Sequence, residues 1–71
     1  MEDKNERFKR IAEKRTNNIL EQLRLLGNCS NKSNYAYTEA EVRRIFQVIE
    51  AETRETKMRF SSKLSKDRFI L

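Results

Sequence analysis

The sequence predicts an all-α fold, an antiparallel two-helix hairpin that completes its core as a dimeric four-helix bundle or on a partner. Three observations lead there. The 71-residue chain has no proline, one glycine and 38% charged residues. That composition suits long exposed helices and leaves little for a sheet. Apolar residues recur at spacings of three and four in two separate stretches, as they do on amphipathic helices. Between the stretches lies a polar run, Asn28 to Asn34, whose short side chains compete with helical hydrogen bonds.

The first helix is expected over about residues 4–26, after a polar lead, Met1 to Asn5, that should fray. Phe8, Ala12, Thr16, Ile19, Leu23 and Leu26 form its stripe,. Ile11 and Leu20 flank the stripe on opposite sides, and Leu25 falls beside Ile11. Gly27, just past the stripe, can take the left-handed conformation that ends a helix without steric cost. The turn is expected over about residues 27–37.

Thr38 restarts a helix. Its hydroxyl can accept from the amide of Glu41, whose carboxylate can reach back to the amide of Thr38. Tyr37 and Val42 stand where a hydrophobic staple would form. The second helix is expected over about residues 38–60, with a stripe of Val42, Ile45, Phe46, Ile49, Thr53, Thr56 and Phe60,. Ala40, Val48 and Met58 lie off it. Glu39 and Glu41 at its start and Lys57 and Arg59 at its end suit the helix dipole. Glu50 and Arg54 have the favoured i,i+4 order.

Ser61 and Ser62 should weaken this helix. Residues 61–71 then form a basic tail, either a loose helical continuation carrying Leu64 and Phe69 or a segment that folds on a partner,. The hairpin is thus one domain, residues 1–60. In its register Leu26 faces the region of Glu39 to Val42, Leu23 lies near Val42, Ile19 faces Phe46 and Ala12 faces Thr53. Two helices leave one side of such a core open. Ile11, Leu20, Leu25 and Val48 lie towards that opening and are the candidate dimer or partner face.

Charge supplies a second candidate surface. Sixteen Lys and Arg against eleven Asp and Glu give +5 and a pI near 9.7, which permits nucleic-acid binding without requiring it. Arg7, Lys9, Arg10, Lys14 and Arg15 surround Glu13. Lys57, Arg59, Lys63, Lys66 and Arg68 accompany Asp67. A hairpin would bring the two groups together at its open end. The candidate basic contacts are Arg7, Lys9, Arg10, Lys14, Lys57, Arg59 and Lys63. Turn residues Asn31, Lys32, Asn34 and Tyr35 offer polar groups and an aromatic face to a protein or to exposed bases.

Enzyme chemistry is disfavoured, and no catalytic residue, metal ligand or cofactor is expected. The chain has no histidine, the commonest general base and metal ligand,. Cys29 is the only cysteine, has no histidine to activate it and reads as a turn residue packed at the hairpin tip. The glutamates are interleaved with basic residues in the manner of solvated ion pairs. One glycine cannot build a glycine-rich phosphate loop. No apolar run approaches the roughly 20 residues of a membrane span. The first apolar residue after Met1 is Phe8, inside a charged segment, so no signal peptide and a reducing cytoplasm are expected.

The run Arg24-Leu25-Leu26-Gly27-Asn28, with Ser33-Asn34-Tyr35, Tyr37-Thr38, Val42 and Ile45-Phe46, resembles short uncharacterised helical proteins of phages and conjugative elements of Gram-positive bacteria. The resemblance covers roughly residues 7–60. It implies an accessory protein of a mobile element and brings no activity, ligand or functional residue. A ribbon-helix-helix repressor needs a strand ahead of its helices. A helix-turn-helix needs a shorter turn and usually a third helix. The expected function is a small non-enzymatic interaction module, an adaptor, inhibitor or accessory protein that binds another protein, itself as a homodimer, or both. The alternative is a nucleic-acid-binding accessory protein using the basic open end.

Overall fold

A computed structural model describes residues 1–64, and for Leu64 the backbone alone. Two helices account for most of the described chain, α1 over Lys4–Asn28 and α2 over Glu39–Leu64. No strand occurs among the described residues. The chain divides into two compact units, Met1–Ala36 and Tyr37–Leu71, each built on one helix.

α1 begins on a cap rather than on a frayed lead. Asp3 has extended backbone, and its Oδ1 accepts from the amide of Glu6 at 2.7 Å. Its carbonyl accepts the first helical bond, from Arg7 N at 3.0 Å. One of the amides that a helix start leaves orphaned is thereby satisfied. Glu2, just ahead of the cap, folds over the first turns and pairs with Arg10.

The end of α1 departs from the expectation placed on Gly27. The helix runs through Gly27 to Asn28. Gly27 is not left-handed, and no described residue has positive φ. The end is wound tighter instead. Cys29 N donates to Leu26 O at 3.0 Å, Ser30 N to Gly27 O at 3.1 Å and Asn31 N to Asn28 O at 3.3 Å. These three-residue steps are the 3₁₀ type that often closes an α-helix. They need only right-handed φ, so the glycine has no special conformation to supply. Cys29 stands at the cap with φ −69° and ψ −8° and is exposed, not packed away.

Asn31 then organises the turn. Its Oδ1 accepts from Ser33 N at 2.9 Å, an Asx-turn,. Its carbonyl accepts from Asn34 N at 3.2 Å and from Tyr35 N at 3.0 Å.

α2 opens with the expected capping box. Glu41 N donates to Thr38 Oγ1 at 3.1 Å, and Thr38 N donates to Glu41 Oε1 at 2.8 Å. The Thr38 hydroxyl also donates to Glu41 Oε1 at 3.2 Å. Two orphan amides are answered by one pair of residues. α2 does not stop near Phe60. It continues through Ser61 and Ser62 to Leu64, with Lys63 as the basic residue of its last turn. The expectations for Leu64 as an apolar contact, and for Lys66, Asp67, Arg68 and Phe69, lie outside what is described.

Candidate interaction surfaces

On α1 the stripe residues are only partly covered. Ile19 is 60% exposed and Phe8 54%, while Leu23 is 39% exposed. Ala12 and Leu26 are half-buried. On α2, Phe46 is 45% exposed, and Val42 and Ile49 are half-buried. No described residue is fully buried. A helix of this kind draws most of its stability from packing an apolar face, because propensity alone is marginal in water. Both stripes therefore present apolar surface that gains by being covered.

The α2 stripe contains two hydroxyls that sequence reasoning treated only as positions in a period. Thr53 Oγ1 donates to Ile49 O at 2.8 Å, and Thr56 Oγ1 donates to Glu52 O at 2.9 Å. A threonine bonded back to its own helix keeps a partner for its hydroxyl when the face is covered. The stripe can be buried there without orphaning a polar group.

Of the four residues assigned to a dimer or partner face, Ile11 is half-buried. Leu20, Leu25 and Val48 are exposed. Ile11, Leu20 and Leu25 belong to α1 and Val48 to α2.

The basic residues divide likewise by helix. Arg7, Lys9, Arg10 and Lys14 lie in the first half of α1, and Lys57, Arg59 and Lys63 in the last half of α2. All are exposed. Arg7, Arg10 and Lys14 share the side of α1 away from the stripe. That side is less positive than a count of nearby charges suggests. Arg10 holds Glu2 with two bonds, Nε to Oε2 at 2.8 Å and Nη2 to Oε1 at 3.0 Å. Arg7 Nε stands 4.0 Å from the same carboxylate. The Arg10 guanidinium holds the Glu2 carboxyl below its ordinary range, and the carboxylate raises Arg10 in turn. Sequence inspection missed this because Glu2 precedes the helix, and the i,i+4 rule covers pairs inside one.

A second fork joins Arg24 to Glu21, Nη2 to Oε1 at 2.6 Å and Nε to Oε2 at 3.0 Å. Arg24 lowers the Glu21 carboxyl and is itself raised. It has the i,i+3 spacing that the same rule covers. The pair singled out from the sequence, Glu50 with Arg54, does not close. The ion pairs of Glu2 with Arg7 and Arg10 and of Glu21 with Arg24 all lie in the α1 unit.

Of the turn candidates, Asn31 is committed to folding the turn through its side-chain oxygen and its carbonyl. Lys32 and Asn34 are exposed, and Tyr35 is 52% exposed. No group of three or more acidic or cysteine side chains among the described residues could hold a metal ion. No described helix is long and apolar enough to cross a membrane. No protein-family profile matches the chain, and neither a curated protein nor a solved structure does.

Proposed function

We propose that this chain is a small non-enzymatic interaction module that acts by protein–protein binding. In this reading the two helices pair as an antiparallel hairpin, stripe against stripe. The hairpin then completes its core against a second copy or another protein. One observation carries the proposal: each helix bears a largely apolar stripe, yet no described side chain is fully buried. Burying a large apolar side chain is worth roughly 1.5–3 kcal/mol, so a few of them suffice to drive association. The role fits an adaptor, inhibitor or accessory protein, and the resemblance noted from the sequence supports a role on a mobile element.

Sedimentation of the full chain over nanomolar to high micromolar concentrations tests it. Self-association in the micromolar range, with helicity and cooperativity rising together, is the expected result. A cooperatively folded monomer at nanomolar concentration that captures no protein from its native host would overturn it.

A second reading, contact with nucleic acid, is favoured by Lys9 and Lys14, which have no ion pair among the described residues and lie near Arg7 and Arg10 in α1. Phosphate contacts release counterions, so such binding would fall steeply with added salt. Replacing Lys9, Lys14 and Lys63 with glutamine should weaken it further and leave helicity intact. Arg10 is a poor target for this test, because its removal also frees Glu2.

A further inference from the structure

Two shallow grooves run along α2, one on the side away from its stripe and one beside the stripe at Thr53. Arg44, Gln47, Val48, Ala51, Glu52 and Glu55 line the first. The second is lined by Glu50, Thr53, Arg54, Lys57, Met58 and Ser61. Each set has the i, i+3, i+4 spacing of a helix ridge. A two-fold axis perpendicular to the helix therefore exchanges its members in pairs, the first with the last and so inward. In a symmetric dimer, each residue meets the mate that this exchange assigns it.

In the first groove, that exchange sets Arg44 opposite Glu55, Gln47 opposite Glu52 and Val48 opposite Ala51. The ends are opposite charges, and the centre is a branched apolar side chain against a methyl group. In the second groove the innermost pair is Arg54 opposite Lys57, two like charges at the point of closest approach. Parallel pairing would ruin the first groove too, since Arg44 would then meet Arg44 and Glu55 meet Glu55. The first groove thus favours one partner, a second copy, in one orientation.

Beyond the stripe-driven association proposed above, we propose that the Arg44–Glu55 groove, on the side of α2 away from its stripe, packs antiparallel against the same groove of a second copy. Val48 and Ala51 meet at the two-fold axis. At about 1.5 Å rise per residue, Arg44 and Glu55 stand about 16 Å apart along the helix. Each dimer then has one Arg44–Glu55 pair on either side of a small apolar centre. Neither residue has an ion pair within its own chain among the described residues. Val48 is 51% exposed, and Arg44, Ala51 and Glu55 are exposed as well. The small central residues let the two helix backbones approach, and the charges fix direction and register.

The test is a charge-exchange set on the full chain, followed by sedimentation equilibrium at low and moderate salt, with circular dichroism as the folding control. Arg44→Glu alone and Glu55→Arg alone each turn both ion pairs into repulsive ones. Each should weaken the homodimer by at least roughly tenfold while helicity is kept. The double variant, Arg44→Glu with Glu55→Arg, restores both pairs in reversed sense and should dimerise as the wild type does. An equimolar mixture of the two single variants should form heterodimers in preference to either homodimer, because only the mixture brings opposite charges together.

Single variants that dimerise as tightly as wild type would overturn the proposal, and so would a double variant as weak as the singles. If wild type associates while the charge variants change nothing, the stripe-driven module survives and this interface does not. If wild type stays monomeric at every concentration tested, this interface falls as well.

Discussion

α1 and α2 differ by one residue in length, 25 against 26, and each carries an apolar stripe, yet they dispose of their polar groups in opposite ways. The unit of α1 closes two forked ion pairs, Glu2 with Arg10 and Glu21 with Arg24. α2 spends its hydrogen bonds on its own backbone, through the box at Thr38 and the hydroxyls of Thr53 and Thr56. Its Arg44, Glu50, Arg54 and Glu55 stay without ion-pair partners among the described residues. A helix whose unpaired charge is mainly of one sign, as in the first half of α1 with Lys9, Lys14 and Arg15, has little electrostatic means of choosing an orientation. One that leaves a signed pattern exposed can set the orientation of whatever packs on it.

The largest expected effect comes from the feature the helices share. Phe46→Ala or Ile19→Ala should each lower stability by about 2 kcal/mol or more in urea unfolding, if the stripes are buried against each other. Lys14→Gln, off the stripe, should stay within about 0.5 kcal/mol. Equal, small losses at all three positions would mean that the stripes do not pack.

The next effect separates the two helix starts. Thr38→Ala should cost about 1 kcal/mol, read as a lower thermal midpoint. Asp3→Ala should cost less, since Asp3 answers one amide near the chain end and the box at Thr38 answers two. A larger loss at Asp3 would invert the comparison.

Gly27→Ala bears on where α1 stops. A Cβ at Gly27 meets nothing within 4 Å, and the residue is helical with no positive φ. Alanine there should raise stability by roughly 0.4–1 kcal/mol, through better helix propensity and a less flexible unfolded chain. A left-handed Gly27 would instead make the substitution destabilising.

How legible these features were depends on how local they are. The box at Thr38 needs two residues three apart and a following apolar run, so it was readable in full. Asp3 and Glu6 have the same spacing, but the charged segment around them hid the signal. Gly27 misled because a glycine after an apolar run has two uses. Sequence cannot tell a left-handed stop from a plain helical residue when backbone bonds alone can close the turn. The serines at 61 and 62 lower helix propensity by only tenths of a kcal/mol each, too little to end a helix. The groove around Val48 was invisible to a search for apolar periods, since four of its six residues are polar or charged.

The smallest effect concerns the forks of α1. The Glu2 and Glu21 carboxyls lie below their ordinary range because Arg10 and Arg24 hold them. Their contribution is complete above the unfolded carboxylate range and is lost as pH falls through the lowered values. Both sites are exposed, so the change in stability should be slight. It is better read by carbon-detected titration of each carboxyl. Arg10→Gln should return Glu2 towards the ordinary value, and Arg24→Gln should do the same for Glu21.

The back-bonded threonines of α2 also carry a thermal consequence. Because Thr53 and Thr56 already satisfy their hydroxyls, covering the stripe removes mainly apolar surface from water. Such burial has a negative heat-capacity change and loses strength on cooling. Any assembly that covers this stripe should therefore loosen near freezing and tighten towards room temperature, so that cold storage would favour its separated chains.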